Sequence, residues 1–234
     1  MPEAIKWGLL IVGAYFLGSV PAAYLAARWS RGIDIRQYGD GNVGATNLMR
    51  LTSKRIAIPV IIFDLGKGAI MVLVAKLVGL ETYQQVTVGV AAIIGHNWPV
   101  FLRFNGGMGI FTSLGVISIL VPWLGLIILA IAYGLAPFHQ LAVGVLLAVF
   151  FAPIAAWFLS QPLGVTDKLP TTLGFLAIFL IVVIRRLTVS RTIFTASVSL
   201  RQLLVNRLLF DRDIRDREAW INQRQFQTEK QGEG

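Results

Sequence analysis

Seven apolar runs divide the 234-residue chain: 5–27, 56–80, 86–102, 109–121, 123–136, 141–159 and 172–184. The first two are long enough to cross about 30 Å of hydrocarbon as α-helices. Pro122 separates the fourth run from the fifth. The stretch 109–136 therefore reads either as two short spans or as one helix kinked at the proline. The pattern predicts an all-α, polytopic membrane helix bundle of about seven spans. Beyond the last run the pattern changes. Leu200, Leu203, Leu204, Leu208 and Leu209 recur at helical spacing, with Arg201, Arg207 and Arg212 between or beside them. This predicts a basic amphipathic helix within 187–224, lying on an anionic membrane face or packing on the bundle. The expected organisation is a membrane domain at 1–186, a cytoplasmic basic tail at 187–224 and a disordered polar end at 225–234.

Composition agrees with the pattern. Hydrophobic residues make up 56% of the chain and charged residues 14%, with a mean hydropathy of +0.70. Soluble domains carry roughly 25% charged residues. There is no cysteine, which excludes disulfides, thiolate metal sites and cysteine nucleophiles. Two histidines, His96 and His139, do not make a zinc site, and no metal or cofactor is expected. The first apolar run is longer than a cleaved signal peptide allows and reads as a first span.

The net charge of +9 reflects topology rather than nucleic-acid binding. Most of the 21 Lys and Arg residues fall in the loop 28–55, at Arg103, or from Arg185 onward. Seven spans put all three regions in the cytoplasm, with the N-terminus outside, whereas six would split Arg103 from the basic tail. Nothing in the chain identifies a protein partner.

Three polar groupings interrupt the apolar pattern. The first, Asp34 to Arg50, combines Gly39, Gly41 and Gly44 with Asn42, Thr46 and Asn47, flanked by Arg36 and Arg50. Glycine loops bring backbone amides close to anions, and arginine holds phosphate oxygens in a fork. The bland alternative is a cytoplasmic turn. The second grouping, Gly95 to Gly109, contains His96, Pro99, Gly106, Gly107 and Gly109, and feeds amides into the start of the next helix. His96 is read either as part of this site or as a helix histidine satisfied by a carbonyl. Two such loops on one face suggest a shared pocket at the membrane–water boundary. The third is Asp64 with Lys67 inside the second span. These residues share a helix face and are expected to form a structural ion pair.

These residues resemble those of the bacterial acyl-phosphate:glycerol-3-phosphate acyltransferases. The likeness runs over residues 9–185, through Gly18-Ser19-Val-Pro21, Asp34-Ile-Arg36, Gly41-Asn42-Val-Gly44-Ala45-Thr46-Asn47, Arg50, Asp64 with Lys67-Gly68, Gly95-His96 and Gly106-Gly107 with Gly109. It implies acyl transfer from acyl phosphate to the sn-1 hydroxyl of glycerol 3-phosphate, giving lysophosphatidate for phospholipid synthesis in a bacterial cell (inner) membrane. It also implies that both substrates and membrane lipid are the partners. The implied substrate- and phosphate-binding residues are Arg36, Gly41, Asn42, Gly44, Thr46 and Asn47, then Arg50 and His96, then Gly106, Gly107 and Gly109. Neither a cysteine nor a Ser-His-Asp set is present, so direct transfer is expected, and no catalytic residue is assigned.

The chain departs from the family pattern at three places. Asp40 stands where the family has serine, Met108 where it has lysine, and Arg185 to Arg191 where it has a histidine and an asparagine. The alternative reading is therefore an inactive or acceptor-switched relative. A transporter is disfavoured, because the polar residues gather at one face rather than along several spans.

Overall fold

The computed structural model describes residues 1–135, 137–189, 198–216 and 219–220. Eleven α-helices and no strand occur among them. Helix α1 (Glu3–Ser19) breaks at Val20-Pro21, where proline removes an amide donor, and resumes as α2 (Ala22–Arg31). A polar loop leads to α3 (Ala45–Leu51) and the long α4 (Lys54–Leu77). Helix α5 (Thr82–Asn97) opens with a capping box in which the Glu81 backbone amide donates to Gln84 Oε1 at 2.8 Å. It ends just before Pro99. Then come α6 (Ile110–Leu120), α7 (Pro122–Gly134), α8 (Leu141–Phe158), the short α9 (Ser160–Leu163), α10 (Lys168–Thr188) and α11 (Leu200–Phe210).

Five stretches are long and apolar enough to cross a membrane: Glu3–Arg31, Lys54–Leu77, Thr82–Leu102, Leu141–Phe158 and Lys168–Thr188. Their outer faces carry exposed large apolar side chains such as Leu9, Ile62, Leu77, Phe158 and Leu173, as lipid-facing helices do. Two helix crossings rest on glycine. A methyl group on Gly18 would collide with the Ala92 carbonyl, and one on Gly95 with that of Tyr15, so α1 and α5 touch backbone to backbone. Gly68 and Gly115 do the same for α4 and α6.

The stretch 109–136 is not one kinked helix. Helix α7 doubles back on α6, with Gly125 against Ser118 where a side chain would not fit. With 11 and 13 residues, α6 and α7 are only about 16 and 20 Å long. The hairpin either crosses twice or dips in and returns, and both alternatives leave the sidedness of α8 and α10 the same.

The described part of the tail folds onto the bundle. Helix α11 buries Leu203 and Arg207 against α8 and α10. Arg207 Nε meets Asp213 at 2.6 Å, and Arg207 Nη1 donates to the Leu187 carbonyl at 3.0 Å. The expected disordered end, 225–234, lies outside the described residues, as do Ser190 and Arg191.

Candidate active site

The first polar loop is organised by one side chain. Asn47, fully buried in α3, donates to the carbonyls of Tyr38 and Asn42, each at 3.1 Å, and to that of Ile35 at 3.4 Å. Its Oδ1 accepts the Asp40 amide at 3.3 Å. Asp34 caps the turn at Ile35 and pairs with Arg36 at 2.6 Å. Hydrogen bonding from Arg36 holds the Asp34 carboxyl below the usual carboxylate range. Asp40 takes the Asn42 amide at 3.0 Å and Arg50 Nη1 at 2.8 Å.

The second loop is built differently. Gly106 and Gly107 donate their amides to the carbonyls of Asn97 and His96, each at 3.2 Å. Their own carbonyls accept from Arg185 of α10, at 2.7 and 3.0 Å. Gly109 takes a positive φ of 73° and turns the chain into α6. A side chain at Gly107 would strike the His96 ring and the Val43 carbonyl, so the two loops touch there.

Beneath them lies the buried charge cluster. Lys67 meets Asp64 at 2.9 Å and donates to the Gly18 carbonyl at 2.9 Å, which ties α4 to the end of α1. His96 Nδ1 lies 3.5 Å from the same Asp64 oxygen. The expected ion pair is therefore formed, and it has a third member.

One cavity of about 430 Å³ opens over this floor. Its polar end is lined by Asp40, Asn42, Thr46, Arg50, Asp64 and His96. Its apolar arm runs between α6, α7 and α8, past Ile117, Ile128, Leu129, Ala132, Val145 and Val149. The first amides of α6 have no acceptor within their helix and lie at the junction of the two parts. Buried Asn42 Oδ1 and Ser113 Oγ have no hydrogen-bond partner among the described residues.

Of the residues singled out from sequence, Asn42, Gly44, Thr46, Arg50, His96 and Gly109 line this cavity. Arg36, Gly41, Asn47, Gly106, Gly107 and Lys67 do not. Arg36 faces Asp34 and the Tyr24 ring, Asn47 braces the loop from behind, and Gly106 and Gly107 sit behind His96. Met108 contributes to the wall.

Sequence alone marked Arg185 and Arg186 as cations that could supply charge from the tail side, but not Asp211, Arg212 and Trp220 of the far wall. Arg186, Asp211, Arg212 and Trp220 close the cavity from the C-terminal side. Arg186 is buried and donates to the carbonyls of Leu208 at 2.5 Å and Ala142 at 2.8 Å, while its Nε has no partner among the described residues. Burial pushes the Asp211 carboxyl up to about 6, against the pull of Arg186. The only advance signal was the run of tail arginines, which does not say where they point.

The profile of the family described as glycerol-3-phosphate acyltransferase matches residues 8–196. A protein of Dehalococcoides mccartyi strain CBDB1, named glycerol-3-phosphate acyltransferase 4, is 45% identical over 191 residues, 82% of each chain. A second from strain ATCC BAA-2266, named glycerol-3-phosphate acyltransferase 5, is 48% identical over 181 residues, 76% of this chain and 77% of its own. Among solved structures, that of PlsY, an integral membrane glycerol 3-phosphate acyltransferase in its glycerol 3-phosphate form, superposes with a TM-score of 0.70 at 29% identity. It covers 77% of this chain and 88% of that one. The lysophosphatidic acid form gives 0.68.

Proposed function

The chain belongs to the glycerol-3-phosphate acyltransferase family, and we propose that it moves a fatty acyl group from acyl phosphate to the sn-1 hydroxyl of glycerol 3-phosphate. The observation that carries this reading is the two-part cavity, with charge and amides at one end and an apolar arm at the other. A donor with a phosphate head and a hydrocarbon tail fits both parts at once. The acyl chain lies in the arm between α6, α7 and α8. Arg50 and the first amides of α6 receive the anionic groups. Arg186 brings the positive charge that Met108 does not, from the opposite wall. The unpartnered Asn42 Oδ1 suits a hydroxyl donor and orients the acceptor.

The hydroxyl oxygen attacks the acyl carbonyl carbon, and the bond from that carbon to the phosphate oxygen breaks. Phosphate leaves with the electron pair, so no acyl-enzyme is needed. Most of the rate enhancement comes from holding the two substrates together and stabilising charge. The distribution of Lys and Arg supports a cytoplasmic cavity and an N-terminus outside the cell.

The test is purified protein supplied with acyl phosphate and glycerol 3-phosphate. Lysophosphatidate forms, and Arg50→Ala makes far less; a wild type that yields none overturns the reading. The Asp40–Arg50 pair favours a second reading, an inactive or acceptor-switched relative. In that case the double change Asp40→Ser with Met108→Lys creates activity that the wild type lacks.

A further inference from the structure

We propose that Ile117, Ile128 and Val149 close the apolar arm of the cavity and set the longest acyl chain that this protein transfers. The inference rests on the acyl-transfer reading above and concerns the donor's tail. Each helix around the arm lines it with one stripe of residues at helical spacing. On α6 the stripe is Ile110, Leu114 and Ile117, and on α8 it is Ala142, Val145 and Val149. Helix α7 packs against both helices and contributes Ala132 and Ile128. The next residue along each stripe no longer lines the cavity. Val121, Leu124 and Ala152 stand at those positions and are at most 2% exposed. They share one buried apolar core with Ile117, Ile128 and Val149, so the arm ends in packed protein.

Helix α6 lines the cavity from Gly109 to Ile117 and α8 from Leu141 to Val149, in each case about 12 Å of helix. A straight hydrocarbon chain covers that depth with roughly ten carbons, so the limit falls inside the range of ordinary fatty acids. The side of the arm is less sealed than its end, because Leu129 and Tyr133 line it and are also exposed. A tail that slipped out past them would leave an apolar void at the closed end, lined by side chains that have lost their contacts. The tail therefore runs to the end. Lipid is as apolar as these side chains, so each methylene moved from the bilayer into the arm gains little. Chain length then matters only at the stop. Donors below the limit react at similar rates. One that overruns it must bend or force apart a packed core, and loses about tenfold in kcat/KM.

The test measures lysophosphatidate formation by the full-length protein in detergent, from a series of saturated donors running from octanoyl to stearoyl phosphate. Wild type shows a plateau and then a fall within the series. Ile128→Ala empties the end of the arm and moves the fall about two carbons longer. Val149→Phe fills the end and moves it about three carbons shorter. Each shift is read as a ratio of donors on one preparation, so any loss of folded protein cancels. Ile128→Val, a milder change, moves the fall the same way as Ile128→Ala by about one carbon. Leu147→Ala, on the exposed face of α8, leaves it in place. A fall at one chain length in wild type, Ile128→Ala and Val149→Phe overturns the proposal, and so does a wild type with no fall; a tail that leaves past Leu129 gives these results. A wild type silent with every donor removes the acyl-transfer reading itself, whereas an active wild type with an unmoved limit removes only this inference.

Discussion

The two glycine loops meet at one cavity but are held in place in different ways. The first, Asp34 to Arg50, is self-supporting: Asn47, Asp34 and Asp40 bind groups within the same loop. The second, Gly95 to Gly109, has backbone bonds of its own, but its side-chain brace is Arg185, 78 residues further along the chain. A locally braced loop survives small rearrangements of the bundle, whereas one whose carbonyls are held from afar also shifts with α10. The largest effect should therefore come from Arg185→Ala. It removes two charge-assisted bonds and leaves two buried carbonyls without donors, each loss costing about 1.5–3 kcal/mol. Expected results are a fall in kcat/KM of roughly 100-fold and a lower melting temperature in detergent. An Arg185→Ala protein with wild-type kinetics would show that the second loop holds itself.

Asn47→Ala attacks the other side of the comparison. Three loop carbonyls lose their donor, but water at the loop's partly exposed edge replaces some of those bonds. The expected cost is about 2 kcal/mol in stability and roughly tenfold in kcat/KM. Asn47→Asp keeps the shape but cannot donate, so it should fall as far. Equal activity of Asn47→Asp and wild type would mean that the bonds seen at this residue do not set the loop.

This difference in bracing also explains how much was legible in the sequence. A loop that supports itself carries its partners within a few residues, so Asp34, Arg36, Asn42, Asn47 and Arg50 stood out together. The Asp64–Lys67 pair was legible because the two lie three apart on one helix. What Arg185 and Arg186 hold was not, since those contacts exist only after α10 and α11 pack. The cavity's apolar arm was invisible for another reason. In a membrane helix every face is apolar, so Ile117 and Val149 look no different from the lipid-facing Ile62 and Phe158. The fold back of α7 on α6 was half legible. Pro122 marked the break, but only Gly125 against Ser118 distinguishes a hairpin from a kink.

Asp40 sharpens the comparison from within the first loop. It braces the Asn42 amide and also occupies Arg50, so support is gained at the expense of a free cation. Asp40→Ser should keep part of the bracing and release Arg50 to the substrate phosphate. The KM for glycerol 3-phosphate should fall about three- to tenfold, with kcat changed less. An unchanged or higher KM would indicate that Arg50 is worth more as a loop brace than as an anion contact.

The smallest effect is expected at the outer edge of the same loop, where Asp34 and Arg36 pair away from the cavity. Because the pair is partly exposed, solvent screens it, and removing it should cost under about 1 kcal/mol. Its pH dependence has a definite sign. The folded-state carboxyl of Asp34 is held below its ordinary value by the Arg36 hydrogen bond, so its contribution is present above that ordinary value. The contribution disappears as pH falls through the lowered value. Arg36→Gln should therefore melt a few degrees below wild type at pH 7, and the gap should close in strong acid. Activity should be nearly unchanged, because Arg36 does not reach the cavity. A large loss of activity with an unchanged melting temperature would instead place Arg36 on a substrate, and the first loop would then be less self-contained than its hydrogen bonds make it.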